Sequence, residues 1–293
     1  MEKVRFGIIG CGMIANSHAQ SILSDERAEL AAVCGGSDRQ KLEEFAGRYG
    51  IKAVYQDYNE MLKNEDIDAV CICTPSGLHG ECTIAAAKQG KHILCEKPLD
   101  IDRDVMSEMI RTAGENKVKL GCVFPNRTRE GLKKAKQILD SGELGKMTIV
   151  ECHYTGYRSP EYYASSGWRG TWALDGGGCL MNQGIHAADT MCWLAGKVDS
   201  VYGIAATMLR KIEVEDSAMA LLEFHNGAKG IVMGTTISNV PESAPEGDRI
   251  RIECEKGTIL YVGGIASLFK RVPSREGDGE EVIKIALDAD GSG

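Results

Sequence analysis

VRFGIIGCGMIA, residues 4–15, decides the fold. Val4-Arg5-Phe6-Gly7-Ile8-Ile9 is a short β-rich run, and Gly10-Cys11-Gly12-Met13-Ile14-Ala15 leads at once into a helical stretch ending near Leu23. A glycine turn that leaves a strand and opens a helix suits a dinucleotide. Gly10 permits the tight turn, Gly12 lets backbone approach a pyrophosphate, and Ala15 lets helix pack close on strand. The helix opening at Met13 and Ile14 offers its unbonded N–H groups to phosphate.

The pattern repeats outward from this unit. Leu30–Cys34, Lys52–Val54, Ala69–Cys73, His92–Cys95 and Lys119–Phe124 read as strands. Gln40–Tyr49, Asn59–Lys63, Glu81–Gln89 and Asp102–Glu115 read as helices between them. Continuous apolar strands alternating with helices predict a doubly wound parallel sheet covered on both faces. At the tip of the second strand, where an acid usually bonds the adenosine ribose, stands Cys34-Gly35-Gly36-Ser37-Asp38-Arg39. Ser37 and Arg39 suit a 2′-phosphate, which favours NADP(H) over NAD(H); Asp38 either reaches the ribose or caps the next helix.

At 293 residues the chain has the length of two domains. Its net charge of −8 argues against nucleic acid or an anionic membrane surface as the main partner. No run of about 18 apolar residues is present, so no membrane-spanning helix is expected. The N-terminus enters its first strand directly, without the pattern of a secretory leader, and a cytoplasmic location is expected. Most of the eleven cysteines sit in apolar runs, the pattern of buried thiols in a reducing compartment. Cys71 and Cys73 point to one face of a strand, with no second pair at zinc spacing, so no metal is expected.

Ligands of open α/β sheets bind beyond the carboxyl ends of the strands. Thr74-Pro75, with His79 close behind, leaves one strand at that edge, and Glu96-Lys97-Pro98 leaves the next. On its position alone Lys97 is either a turn lysine or a group facing the nicotinamide. Gly10-x-Gly12-x-x-Ala15-x-x-His18, Thr74-Pro75 with His79, Glu96-Lys97-Pro98, Asn126-Arg127, Ser141-Gly142-Glu143-Leu144-Gly145 and Gly176-Gly177-Gly178 with His186 and Asp189 together resemble the glucose–fructose oxidoreductase / inositol dehydrogenase / rhizopine-catabolism (Gfo/Idh/MocA) family. The resemblance covers most of the chain. It implies a Rossmann domain over 1–123 that binds NADP or NAD, with Gly10, Gly12, Met13, Ile14, Ser37, Asp38, Arg39, Thr74, Pro75, His79, Glu96 and Lys97 around the cofactor. It also implies Lys97 in the active site, near the reacting hydroxyl or carbonyl.

Over 124–293 the pattern changes. After a helix at Arg129–Leu139, extended runs follow at Met147–Tyr157, Val201–Leu209, Ser217–Phe224, Lys229–Ser238, Arg249–Cys254 and Gly257–Val262, with a hairpin at His225-Asn226-Gly227. This predicts an α+β domain with a large, mainly antiparallel open sheet. Such a face tends to find a partner, and relatives often pack it in oligomers, so a homo-oligomer is expected. The family usually continues with a further strand and a long final helix, so this domain reads as C-terminally incomplete.

Asp175-Gly176-Gly177-Gly178-Cys179-Leu180-Met181-Asn182-Gln183-Gly184-Ile185-His186-Ala187-Ala188-Asp189 reads as a glycine turn before a helix. Asn182, His186 and Asp189 at i, i+4 and i+7 would share one face, with Asp189 reaching back to His186. The family places an acid or amide and then a histidine at these positions, facing the nicotinamide. Asn182 stands where several sugar and inositol dehydrogenases have aspartate, and asparagine cannot accept a proton. A proton relay would then use Lys97 and His186, with Asn182 orienting. Tyr157-Arg158, Tyr162-Tyr163 and Trp168-Arg169 read either as ring-stacking and anion-pairing groups or as core aromatics and solvated charge. Tyr157, Arg158, Trp168 and Arg169, with Asn126, Arg127 and Asp189, form the expected substrate-binding set.

The expected activity is hydride transfer between nicotinamide and a secondary alcohol or ketone of a sugar, polyol or nucleotide sugar, with His186 as acid/base and Lys97 holding the oxygen. Two alternatives stand beside it: an NAD-dependent glycosidase working by transient oxidation and elimination, and a non-catalytic dinucleotide-binding regulator.

Overall fold

The structure is a computed structural model, and it describes residues 3–36, 38–240, 248–273 and 280–288. Its contacts divide the chain into two units. One comprises Met1–Val123 with Ala173–Gly176; the other comprises Phe124–Trp172 with Gly177–Gly293.

The first unit runs β1 (Val4–Ile9), α1 (Met13–Ser24), β2 (Ala28–Cys34), α2 (Arg39–Tyr49), β3 (Ala53–Tyr55), α3 (Tyr58–Leu62), β4 (Ala69–Ile72), α4 (His79–Lys88), β5 (His92–Cys95), α5 (Arg103–Glu115) and β6 (Leu120–Cys122). All six strands are parallel, in the order β3-β2-β1-β4-β5-β6. The order reverses beside β1, the switch point where doubly wound sheets bind dinucleotides. Alternation along each strand explains why both faces are dry. Ile8, Val33 and Cys71 bury with Ala15, Ala19, Leu42 and Phe45 of α1 and α2. Ile9, Ala32, Val70 and Ile72 bury with Met61, Cys82, Ala86 and Met109 of α3, α4 and α5. Cys71 and Cys73 share the first of these faces.

The second unit runs α6 (Glu130–Ser141), β7 (Met147–Thr155), α7 (Pro160–Ala164), α8 (Cys179–Asn182), α9 (Ile185–Ala195), β8 (Val198–Ala206), β9 (Ser217–Phe224), β10 (Lys229–Thr235), β11 (Arg249–Cys254), β12 (Gly257–Val262), β13 (Ile265–Pro273) and β14 (Glu280–Ala286). Its sheet has the order β14-β13-β12-β11-β7-β10-β9-β8. Every pairing is antiparallel except β7 with β10. One face buries Val150, Cys152, Leu222, Phe224, Val232, Ile250 and Ile252 against Leu132, Met191 and Leu194 of α6 and α9. Among the described residues, nothing covers the β8–β9 part of the other face. Tyr202 pairs with Leu221 and Ile204 with Met219, and these four are 51–73% exposed.

Several strand ends differ from the sequence reading: β7 stops at Thr155 and β10 at Thr235, short of the predicted Tyr157 and Ser238, and β8 begins at Val198. β8 ends at Ala206 rather than running to Leu209, because the backbone N–H groups of Met208, Leu209 and Arg210 all turn in to the fully buried carboxylate of Asp216. Strands β13 and β14 extend the sheet beyond the last predicted pair.

Candidate functional site

At the carboxyl edge of the first unit, the turn between β1 and α1 is shaped by its glycines. Gly10 has φ +99°, and a Cβ there would lie 2.6 Å from the Cys73 carbonyl oxygen. Gly12, the N-cap of α1, meets nothing within 4 Å of where its Cβ would sit. The first turn of α1 carries no acid, and Met13 is 78% exposed. An open N-terminus with no side chain over it and no negative charge suits a pyrophosphate, so these residues fit a dinucleotide. At the tip of β2, Asp38 caps α2 by accepting the Lys41 N–H at 3.0 Å. Arg39 pairs with Glu43 one turn on, at 2.8 Å and in the open. Ser37 lies outside the described residues.

The next two strand ends are tied together around Lys97. The His79 ring lies with Nδ1 2.7 Å from the Pro98 carbonyl oxygen and Nε2 3.0 Å from that of Thr74. It thus bridges the loops leaving β4 and β5, and it is 1% exposed. Burial pushes this imidazole below its ordinary pKa, against the pull of the two carbonyls. Beside it, His18 Nε2 of α1 meets Glu96 Oε1 at 2.9 Å in a buried pair. The other Glu96 oxygen accepts the Lys97 N–H at 3.2 Å. Burial raises the Glu96 carboxyl, but its bond to His18, the His18 charge and Lys97 outweigh that, and it titrates below its usual value. Asp100 completes the loop by accepting the N–H groups of Gly80, Ile101 and Asp102. Lys97, partly exposed, therefore rides on a backbone fixed from three directions, and its bond to Pro98 is cis.

The sequence reading missed three of these supports. His18 stood in the quoted motif without a role, Asp100 follows Pro98 by two residues, and Ala173–Gly176 comes from far along the chain. That last segment bonds the first unit, with the Gly77 N–H donating to the Leu174 carbonyl at 2.9 Å. Gly176 has φ +76°, and a Cβ there would collide with Ile101.

In the second unit the helix predicted through Asn182 and His186 is broken. Asn182 ends α8, and His186 lies in the first turn of α9. Gln183 and Gly184 intervene, and the Gly184 N–H bonds the Cys179 carbonyl at 2.8 Å. The two side chains therefore do not share one continuous helical face. At the break the Gly184 N–H reaches five residues back rather than four, and a Cβ on Gly184 would lie 3.0 Å from that same carbonyl oxygen; at the other end of α8, Glu215 accepts the N–H of Gly178 at 2.8 Å and of Leu180 at 3.3 Å, and a Cβ on Gly178 would overlap the Glu215 carbonyl oxygen.

Asp189 does not reach back to His186 either. Both its oxygens take Arg127, Nε at 2.9 Å and Nη2 at 2.6 Å. Arg127 lies 5.9 Å from the rings of Phe124 and Trp193. The Phe124 ring meets His186 edge-on at 6.1 Å. Asn126 Nδ2 donates to Thr190 Oγ1 at 3.1 Å. Tyr157, Arg158, Trp168 and Arg169 gather around Tyr162 and Arg210. Among the described residues no group of three or more His, Cys, Asp and Glu is placed to hold a metal, and no helix is long and apolar enough to cross a membrane.

Comparison with known proteins identifies the scaffold. Residues 4–124 match the oxidoreductase family with an NAD-binding Rossmann fold, and residues 132–260 match the GFO/IDH/MocA C-terminal domain. The chain belongs to the Gfo/Idh/MocA oxidoreductase family. Membership makes it a nicotinamide-dependent dehydrogenase or reductase acting on CH–OH groups. Similar Gfo/Idh/MocA relatives include the myo-inositol 2-dehydrogenase of Thermotoga maritima, 28% identical over 78% of this chain and 67% of that one. The D-glucoside 3-dehydrogenase of Escherichia coli is 30% identical over 77% and 68%. The crystal structure of the WlbA dehydrogenase from Bordetella pertussis, in complex with NADH and UDP-GlcNAcA, superposes with a TM-score of 0.84 at 34% identity, over 88% of this chain and 73% of that one.

Proposed function

We propose that this protein transfers a hydride between a nicotinamide dinucleotide and a secondary alcohol or ketone of a sugar, polyol or nucleotide sugar. The observation that carries the proposal is the mounting of Lys97. A lysine at the carboxyl edge of β5, next to the switch point, is fixed by a buried His18–Glu96 pair and by the His79 bridge. Surface turn lysines receive no such support. Relatives that act on inositol and glucosides, and one bound to a nucleotide sugar, support the substrate range.

When bound, the nicotinamide supplies the hydride acceptor. The protein's own groups do the rest. The Lys97 ammonium holds the reacting oxygen and stabilises the negative charge that develops on it. His186 takes the hydroxyl proton in oxidation and returns it in reduction. Asn182 has no proton to exchange and orients a substrate hydroxyl.

For the cofactor, NADP(H) is the preferred form. No acid follows Cys34 directly, and Asp38 is occupied by the Lys41 N–H. The exposed Arg39–Glu43 pair is screened by water and contributes little. A 2′-phosphate can therefore claim Arg39. The test compares kcat/KM for NADP and NAD in the native chain and in Arg39→Ala; a ratio unmoved by the substitution contradicts the assignment.

The protein acts in the cytoplasm as a homo-oligomer built through its open sheet. The row of Tyr202, Ile204, Met219 and Leu221 supports the assembly, since such faces are costly to leave in water.

A further inference from the structure

Helix α9 carries His186, and its first turn does not continue from α8, because Gln183 and Gly184 intervene. The direction of the imidazole is therefore fixed from elsewhere. His186, Asp189 and Thr190 stand at i, i+3 and i+4 and form one stripe of α9. That stripe meets residues 124–128, and three side chains there grip it. The Phe124 ring lies edge-on to the His186 ring at 6.1 Å, Arg127 holds both oxygens of Asp189, and Asn126 Nδ2 donates to Thr190 Oγ1 at 3.1 Å.

Thr190 joins this grip to the histidine. Its hydroxyl donates to the His186 carbonyl oxygen at 2.7 Å. The chemistry of the groups settles the direction. An amide NH2 only donates and a carbonyl only accepts, so the hydroxyl takes from Asn126 and gives to His186. Tyr261 of β12 extends the chain by a long contact, its hydroxyl 3.5 Å from Asn126 Oδ1.

A threonine hydroxyl on the carbonyl four residues back is common in helices and by itself says nothing of function. Two observations set this one apart. The buried residues of α9 are Thr190, Met191, Leu194 and Ala195, and only Thr190 is polar. Valine has nearly the same shape and brings no hydroxyl that must be bonded in the core, so packing alone gives no reason for threonine. The bond also sits in the turn beside the break, where α8 gives His186 no continuous helix to ride on. A hydrogen bond fixes an angle that apolar contacts leave loose. A displacement of about 1 Å at a reacting group costs on the order of 10²-fold in rate.

We propose that Thr190 is a positioning residue for His186: anchored by Asn126, its hydroxyl holds the His186 carbonyl and so sets where the imidazole stands for proton transfer. This rests on the acid/base role given to His186 above and adds the device that aims it.

The test uses the full chain and its Thr190→Val and Thr190→Ser variants, with NADP and NAD. Oxidation of myo-inositol, a methyl glucoside and UDP-glucose is followed by nicotinamide reduction. On the ligand the native chain oxidises fastest, Thr190→Val should lower kcat by about 10- to 100-fold while KM and dinucleotide affinity stay within about twofold of native. Thr190→Ser, which keeps the hydroxyl, should restore most of the loss. The solvent isotope effect on kcat should rise in Thr190→Val, because the displaced group is the one that moves the proton. Nuclear magnetic resonance of ring-labelled histidine reads the imidazole without turnover, with His186→Gln identifying its signal. His186 should give one sharp signal in the native chain and in Thr190→Ser, and a broadened or doubled one in Thr190→Val. That pattern in a chain that oxidises none of the ligands upholds the positioning and sinks the dehydrogenase reading. In an active chain, a near-native kcat in Thr190→Val, a loss that serine does not restore, or a loss matched by KM or dinucleotide affinity overturns the proposal. In an inactive chain, a His186 signal that the substitution leaves unchanged overturns it.

Discussion

Gly10 and Lys97 mark the two ends of the residue scale, one needed by the backbone and one by the chemistry. Gly10→Ala places a methyl group 2.6 Å from the Cys73 carbonyl in a backbone with φ +99°. Strain of this kind costs about 1–3 kcal/mol, so the variant should melt lower and bind dinucleotide more weakly. Unchanged melting and unchanged affinity contradict the role given to the turn. Glu96 gives a pH prediction. Its folded pKa lies below its ordinary value, so its stabilising contribution is fully present above about pH 4.3 and is lost as the pH falls through the folded value. As the pH falls below about 4.3 the native chain should therefore lose stability more steeply than Glu96→Gln; parallel denaturation curves contradict the linkage. The glycines were legible from sequence because a positive φ and a close approach leave few alternatives. The His18–Glu96 pair was not, because its partners are 78 positions apart and no local pattern joins them.

At the scale of elements, period and punctuation carried the reading of the first unit. Its strands and helices announce themselves through unbroken apolar runs between caps such as Asp102 and Asp38. The same logic failed at the second unit's glycine turn. A spacing of i, i+4 and i+7 suggests one helix, yet at Gly184 the backbone reaches five residues back, to the Cys179 carbonyl, and α8 and α9 are separate. The partner of Asp189 was invisible for the same reason as that of Glu96: Arg127 lies 62 positions away. This pair gives an element-scale prediction. The Asp189 side chain is 10% exposed and that of Arg127 47%, so water screens one partner and the pair is worth less than a fully buried one. Asp189→Asn should lower stability by about 1–2 kcal/mol and loosen the join between the Pro125–Thr128 turn and α9. A melting temperature equal to that of the native chain contradicts the pairing.

The whole molecule sets two sheets in two different environments. The parallel sheet is covered on both faces by its own helices, as its continuous apolar strands predict. The eight-stranded sheet covers only one, and its alternating strands leave Tyr202, Ile204, Met219 and Leu221 in the open. Alternation made that face legible, whereas the length of the sheet was underread because β13 and β14 lie past the last hairpin recognised. If the open face joins copies of the chain, light scattering at micromolar concentration should report an oligomer, and Leu221→Glu should shift it toward monomer. A native chain that scatters as a monomer contradicts that assembly.

The central claim, that this scaffold moves a hydride with Lys97 on the reacting oxygen, is tested most directly by one assay. Reduction of NADP or NAD is followed spectroscopically over a panel of sugars, polyols, acidic sugars and nucleotide sugars, with the native chain and Lys97→Ala side by side. The account predicts reduction on at least one member, lowered about 10²- to 10³-fold in the variant, while dinucleotide affinity is retained. Near-normal turnover in the variant, or tight dinucleotide binding with no reduction on any member, contradicts it.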